Sequence, residues 1–164
     1  MKHIRIWLFV ALLISLIPWN VKEYYWDNLS DTEQSEAATE VKAYLSDMTE
    51  EEFELMSAVV EAESDRSQSM EGKTLIALTI LNRVESSEFP NSITGVITQS
   101  GQFQVYYEGT YKQTGRTKTS DKAVVEAAFL LHQDHPNVIY FNSIGYNHLG
   151  TPYDYVDGNY FETK

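Results

Sequence analysis

The run Val59-Val-Glu-Ala-Glu-Ser64 sets two carboxyl groups into an otherwise apolar stretch. On a helix advancing about 100° per residue, Glu63 falls between Val59 and Val60 and within about 20° of Met56, so its carboxyl lies along the apolar face. Glu61 sits about 160° away from it and is expected to face solvent. Desolvation penalises the charged form of a carboxyl, so one held among apolar side chains keeps its proton towards neutral pH, as a general acid must. The helical pattern alone leans to a plainer reading, a surface glutamate at a frayed helix end.

Other chemistries find little support. His132-Gln-Asp-His135 has the look of a ligand pair, but His135 precedes Pro136, which biases it away from helix, and a third ligand is not evident. His148, in a Gly- and Tyr-rich loop, reads as structural or surface. No metal and no cofactor are expected. The chain has no cysteine, which excludes thiol catalysis, a disulfide framework and a lipid-modified N-terminal Cys. A glycine-rich phosphate loop and a G-x-S-x-G elbow are both missing from the sequence. The formal net charge of -12 argues against a hold on phosphate backbones, so nucleic acid is not an expected partner. Much of that charge is local, because residues 22–54 carry most of it against only Lys22 and Lys42.

The elements that must position Glu63 follow from periodicity and caps. Lys2, His3 and Arg5 precede an apolar run at 6–19, the layout of a secretory signal, without a small-x-small cleavage site after it. At about fourteen residues it is short of the roughly twenty a spanning helix needs, so residues 1–20 are read as a signal peptide or an N-terminal membrane anchor. Residues 21–48 read as an acidic tether with some helix, and 49–164 as the folded domain. Thr49-Glu-Glu-Glu52 is a capping box that opens a helix running to about Ser64. A polar break at 65–69 leads to a second helix from about Met70 to Val84, apolar on a wide face through Leu75, Ile76, Leu78, Ile80 and Leu81. Ser92 to Thr98 is expected as a short helix, and Gly101 to Gly115, rich in Tyr, as irregular chain or short strands. Ser120 or Asp121 is the expected cap of a third long helix ending near Leu131. Two strands, Val138 to Phe141 and Gly158 to Phe161, flank a loop from Asn142 to His148. The sum is an α+β, mostly helical domain.

The ordered motifs Glu63-Ser64, Glu71-Gly72, Leu81-Asn-Arg-Val84, Phe89-Pro90, Val96-Ile-Thr-Gln99 and Gln102-Phe103 resemble the spore cortex-lytic (SleB-type) cell-wall hydrolases. The likeness is close over about residues 53–107 and looser beyond. It implies a lysozyme-like fold shared with lytic transglycosylases and puts the catalytic glutamate at Glu63, reversing the plainer reading above. The loop from Ser64 to Met70 departs from the family pattern, lacking its Gly-Glu pair.

What the resemblance implies chemically is cleavage of peptidoglycan between N-acetylmuramic acid and N-acetylglucosamine with one carboxyl as acid and then base. Two-carboxylate glycosidases need a partner about 5 Å or more away, and Asp65, Glu71 and Glu108 are candidates without support from spacing. Simple hydrolysis stays open beside transglycosylation. Expected substrate contacts are Ser64, Asn82, Gln102, Tyr106, Tyr140 and Asn142, with equally good structural readings for each; Asn82 is expected to hold loop backbone. The expected setting is the cell wall of an exported protein, secreted or anchored to the outer face of the cytoplasmic membrane. The wall cut could be spore cortex, in sporulation or germination, vegetative peptidoglycan, or wall opened during assembly of a secretion machine. The alternative is a non-catalytic glycan-binding or scaffold relative in the cell envelope, and a third reading is a secreted interaction domain unrelated to glycans.

Overall fold

The computed structural model describes residues 31–64, 69–131 and 137–164. The apolar segment at 6–19, Asp65 and the His132 to His135 run lie outside them. Among the described residues no helix is long and apolar enough to cross a membrane.

Helix α1, Asp31–Asp47, packs on a later helix and buries Ala38 and Val41 in the shared core. Helix α2, Glu50–Glu63, opens as its sequence predicts. The Thr49 hydroxyl accepts from Glu52 N–H at 3.1 Å, and the Glu52 carboxylate accepts from Thr49 N–H at 3.3 Å. Three glutamates in that first turn meet the positive end of the helix dipole. Met56, Val59 and Val60 are fully buried, so the apolar stripe faces the core.

Helix α3, Met70–Glu85, is capped by Ser69, whose hydroxyl accepts from Gly72 N–H at 3.0 Å. Nearly every residue from Gly72 to Leu81 is buried, which is why its sequence is apolar around most of the helix. Each fully buried Ile or Leu there contributes roughly 1.5–3 kcal/mol. Helix α4, Ile93–Ile97, follows the Phe89-Pro90 stop.

The stretch from Gly101 to Gly115, expected as irregular chain or strands, instead forms two short helices, α5 (Gln104–Tyr107) and α6 (Thr110–Thr114). They are too short to display a helical period, and Gly109 (φ 72) and Gly115 (φ 68) end them in conformations that β-carbons disfavour. Helix α7, Lys118–Leu131, also starts earlier than expected. Its entry is fixed from Thr117, whose hydroxyl accepts from Ser120 N–H at 3.2 Å while Ser120 Oγ accepts from Thr117 N–H at 2.9 Å. Ser120 is thus the inner member of the cap, not the cap itself. Helices α3 and α7 form the most extensive helix pair, and α1 and α2 both lean on α7.

The chain ends in an antiparallel sheet of order β1-β3-β2, with β1 Val138–Asn142, β2 Thr151–Val156 and β3 Asn159–Thr163. Strand β2 was not anticipated. It is an exposed edge strand with Pro152 in it, so it shows no apolar alternation. The sequence did contain its signal: Asp157 (φ 52) and Gly158 (φ 89) form the two-residue Asp-Gly turn that joins β2 to β3. Strand β1 lies against α3 and is pinned to it, since Asn82 Nδ2 donates to the Val138 carbonyl at 2.9 Å and Arg83 Nε to that of Ile139 at 2.7 Å.

Candidate active site

Where the end of α2, the end of α3 and strand β1 converge, a cleft of about 410 Å³ opens to solvent. Glu63 lies on one wall, Arg83 and Phe89 on another, and Tyr140, Phe141 and Asn142 of β1 on a third. Gln102 lines it from just before α5 and Gln104 from the start of that helix, and Asn147 and Leu149 from the loop after β1. Glu63 is the one carboxylate among the described residues lining it.

Glu63 is half-buried, and its pKa is pushed up to about 7, first by burial. The Val105 backbone N–H donates to the carboxylate and pulls the other way, while the charge of Glu108 adds to the rise. Position at the C-terminal end of α2 also disfavours a negative charge. The result is a carboxyl that holds a proton near neutral pH and faces open volume, which can hand that proton to a bound oxygen.

Glu61, expected in solvent, is instead a partner in a half-buried polar cluster. Lys73 Nζ of α3 meets both of its oxygens at 2.7 Å, and Thr117 Oγ1 donates to it at 2.6 Å. Burial raises its pKa, but the bonds from Lys73 and Thr117 more than offset that, and the net shift is downward. A helical wheel drawn for α2 alone could not foresee a lysine reaching over from α3.

Of the expected contacts, Gln102, Tyr140 and Asn142 share the cleft with Glu63. Asn142 Oδ1 accepts from Ile144 and Gly145 N–H at 2.8 and 3.0 Å, so its carbonyl serves the turn. Ser64, Asn82 and Tyr106 are not among the lining residues. Ser64 is buried and donates to the Glu61 carbonyl at 3.0 Å. Asn82 holds β1, and Tyr106 stacks on Tyr111 with ring centroids 5.2 Å apart.

Two residues were not among the expected contacts. Arg83, read from sequence only as part of the Leu81-Asn-Arg-Val84 motif, lines the cleft. Glu162, fully buried on β3, accepts from His148 N–H at 3.0 Å and Asn147 N–H at 3.3 Å and so fixes the loop that forms one wall. A lone charged residue in a strand near the chain end gives no pattern that could have found it. Gly150 completes that wall: a β-carbon there would lie 2.0 Å from the Thr163 carbonyl oxygen, so loop and β3 meet only because the position is glycine.

Comparison with known proteins gives the class. Residues 67–150 match the pattern of the family described as Cell Wall Hydrolase, and the chain belongs to that family. The match begins just after Glu63.

Among individual relatives, the spore cortex-lytic enzyme of Bacillus cereus is 35% identical over 79 residues, covering 48% of this chain and 30% of that enzyme. The chain therefore spans about 30% of the length of the curated relatives it matches. The catalytic domain of the germination-specific lytic transglycosylase SleB from Bacillus anthracis superposes with a TM-score of 0.57 at 25% identity, over 71% of this chain and 97% of that one. The catalytic domain of the Bacillus cereus SleB protein gives a TM-score of 0.60 at 26% identity, over 70% and 91%. The α+β, mostly helical fold expected from the sequence is the fold these domains have.

Proposed function

We propose that this chain cuts peptidoglycan glycan strands between N-acetylmuramic acid and N-acetylglucosamine, as a lytic transglycosylase with Glu63 as its single acid and base. The observation that carries the reading is a protonated carboxyl, pKa about 7, on the wall of a cleft lined by aromatic rings and amides. Flat rings such as Tyr140 and Phe141 suit the apolar faces of sugars, and Gln102 and Asn147 offer amides to their hydroxyls.

Glu63 protonates the glycosidic oxygen as the bond from the muramyl anomeric carbon breaks. The muramyl 6-hydroxyl closes on that carbon, giving up its proton to the Glu63 carboxylate, and a 1,6-anhydro end results. Neither an enzyme nucleophile nor a bound water is consumed, so one carboxylate suffices. Glu108 is exposed, is not among the cleft-lining residues, and donates nothing beyond a charge while its carboxylate accepts from Gln104 Nε2. Were it instead to activate water, the same cleft would hydrolyse the bond and leave reducing ends.

The expected setting is the cell wall outside the cytoplasmic membrane, with the segment at 6–19 as export signal or anchor. Spore cortex is the wall that the names of the SleB relatives favour. The test is digestion of purified cortex and vegetative wall by wild type and Glu63→Gln, with mass spectrometry of the released fragments. Anhydro ends from wild type and none from the variant support the reading. Wild-type binding without release would make the chain a glycan-binding relative instead.

A further inference from the structure

The second charged group of the cleft is Arg83, and its surroundings are unusual for a cation. The residue is only 4% exposed. Its guanidinium lies against two rings, 5.1 Å from the centroid of Phe89 and 5.5 Å from that of Phe103. One of its five N–H groups is spent on the fold, the Nε bond to the Ile139 carbonyl at 2.7 Å. No acidic side chain among the described residues forms an ion pair with it, although buried charges are normally paired. The residue lines the cleft, and no other hydrogen bond of its guanidinium is formed among the described residues.

We propose that Arg83 is the cleft's docking point for a carboxylate carried by the substrate, the acid group of the muramyl side substituent or its attached peptide; this rests on the peptidoglycan-cleaving reading above. The planar fork, held against Phe89 and Phe103, suits a two-point grip on a carboxylate, and the low-dielectric flanks strengthen it. A cation touching Glu63 would hold that acid's proton affinity down, yet the causes of its shift are burial, Val105 and Glu108. The two groups therefore grip different parts of one ligand: Glu63 the bond to be cut, Arg83 a substituent beside it. Tyr140, next to the guanidinium, lines the same wall.

The probes are solubilised glycan strands with free carboxylates and the same strands with those groups blocked as methyl amides. Retention of each is measured on the full chain carrying Glu63→Gln, at low and high salt, and cleavage of each by wild type. The expected result is about tenfold weaker retention of the blocked strand, a gap that narrows with salt. In wild type KM rises by a similar factor for the blocked strand while kcat holds. Arg83→Lys keeps part of the discrimination and Arg83→Gln abolishes it. Should those variants not fold, retention by the Glu63→Gln protein decides alone. Equal retention of the two strands, including none of either, overturns the proposal. Loss of cleavage with discrimination intact would instead overturn the catalytic reading and leave this one standing.

Discussion

Two glutamates of this molecule, one half-buried and one buried, are both held towards the neutral form and differ in their access to ligand-sized space. Glu63 ends α2 on the cleft wall, and Glu126 lies in the middle of α7, facing α3. Both have pKa values pushed up to about 7, and burial is the first cause of each. Glu126 is 3% exposed, its Oε2 has no hydrogen-bond partner among the described residues, and the charge of Glu71 adds to its rise against the pull of the Thr74 hydroxyl. Packing a carboxyl between helices without a cationic partner yields a neutral acid, whereas Glu61, held by Lys73, goes the other way. Only the one that opens on ligand-sized space could hand its proton to a ligand, so on the proposed reading access, not pKa, separates chemistry from strain.

The sharpest break of that comparison is paired substitution to glutamine. Glu63→Gln is expected to lower fragment release about 10²–10⁴-fold, the range for removing a general acid, while Glu126→Gln stays within about twofold. Fragment release followed by mass spectrometry, with circular dichroism to show that both fold, checks this. Similar losses from both would mean that the cleft does not single out Glu63.

Glu61 sharpens the contrast from the opposite side. Glu61→Ala leaves the Lys73 ammonium, 8% exposed, without its partner, and should cost about 3 kcal/mol in urea unfolding. The Glu61 pKa is lowered in the fold, so its contribution is present above the unfolded value and is lost as pH falls. Wild type and Glu61→Ala should therefore converge in stability under acid.

Glu126 carries the reverse sign. Its folded pKa, about 7, exceeds the ordinary glutamate value of 4.5, so the folded state must give up stability as pH rises between them. A rise of that size corresponds to at most about 3 kcal/mol, and Glu126→Gln, which cannot ionise, escapes it. The stability of the variant relative to wild type should climb from pH 5 to pH 8 in parallel denaturation curves. Glu63 obeys the same linkage, and its activity should decline as pH rises through about 7, because the proton-bearing form is the one that reacts.

Smaller effects follow at positions away from the cleft. Asn82→Ala removes the bond to the Val138 carbonyl and should cost about 1 kcal/mol, with little change in kcat. Tyr106→Phe should leave activity within about twofold, since the ring stacks on Tyr111 outside the cleft lining. A large kcat loss in Tyr106→Phe would put its hydroxyl in the reaction after all.

The long helices were legible because local signals agreed with the tertiary outcome. The capping box at Thr49 and the apolar stripe of Met56, Val59 and Val60 set α2 in register and carried Glu63 to its end. What reads poorly is short or exposed: α5 and α6 have too few residues for a period, and β2 has no buried face to mark it. Even there the Asp157-Gly158 turn was written in the chain.

The sequence by itself determined which residues form the long helices, that the chain resembles wall-lytic enzymes, and that Glu63 lies on an apolar stripe. Each of these is a matter of neighbours within a few positions. The tertiary structure decided the rest. It brought Lys73 to Glu61 and left Glu63 facing open space, set Arg83 against Phe89 and Phe103, and used Glu162 to fasten the far wall. Charge state and access depend on groups brought together from distant parts of the chain, and no local pattern encodes that meeting.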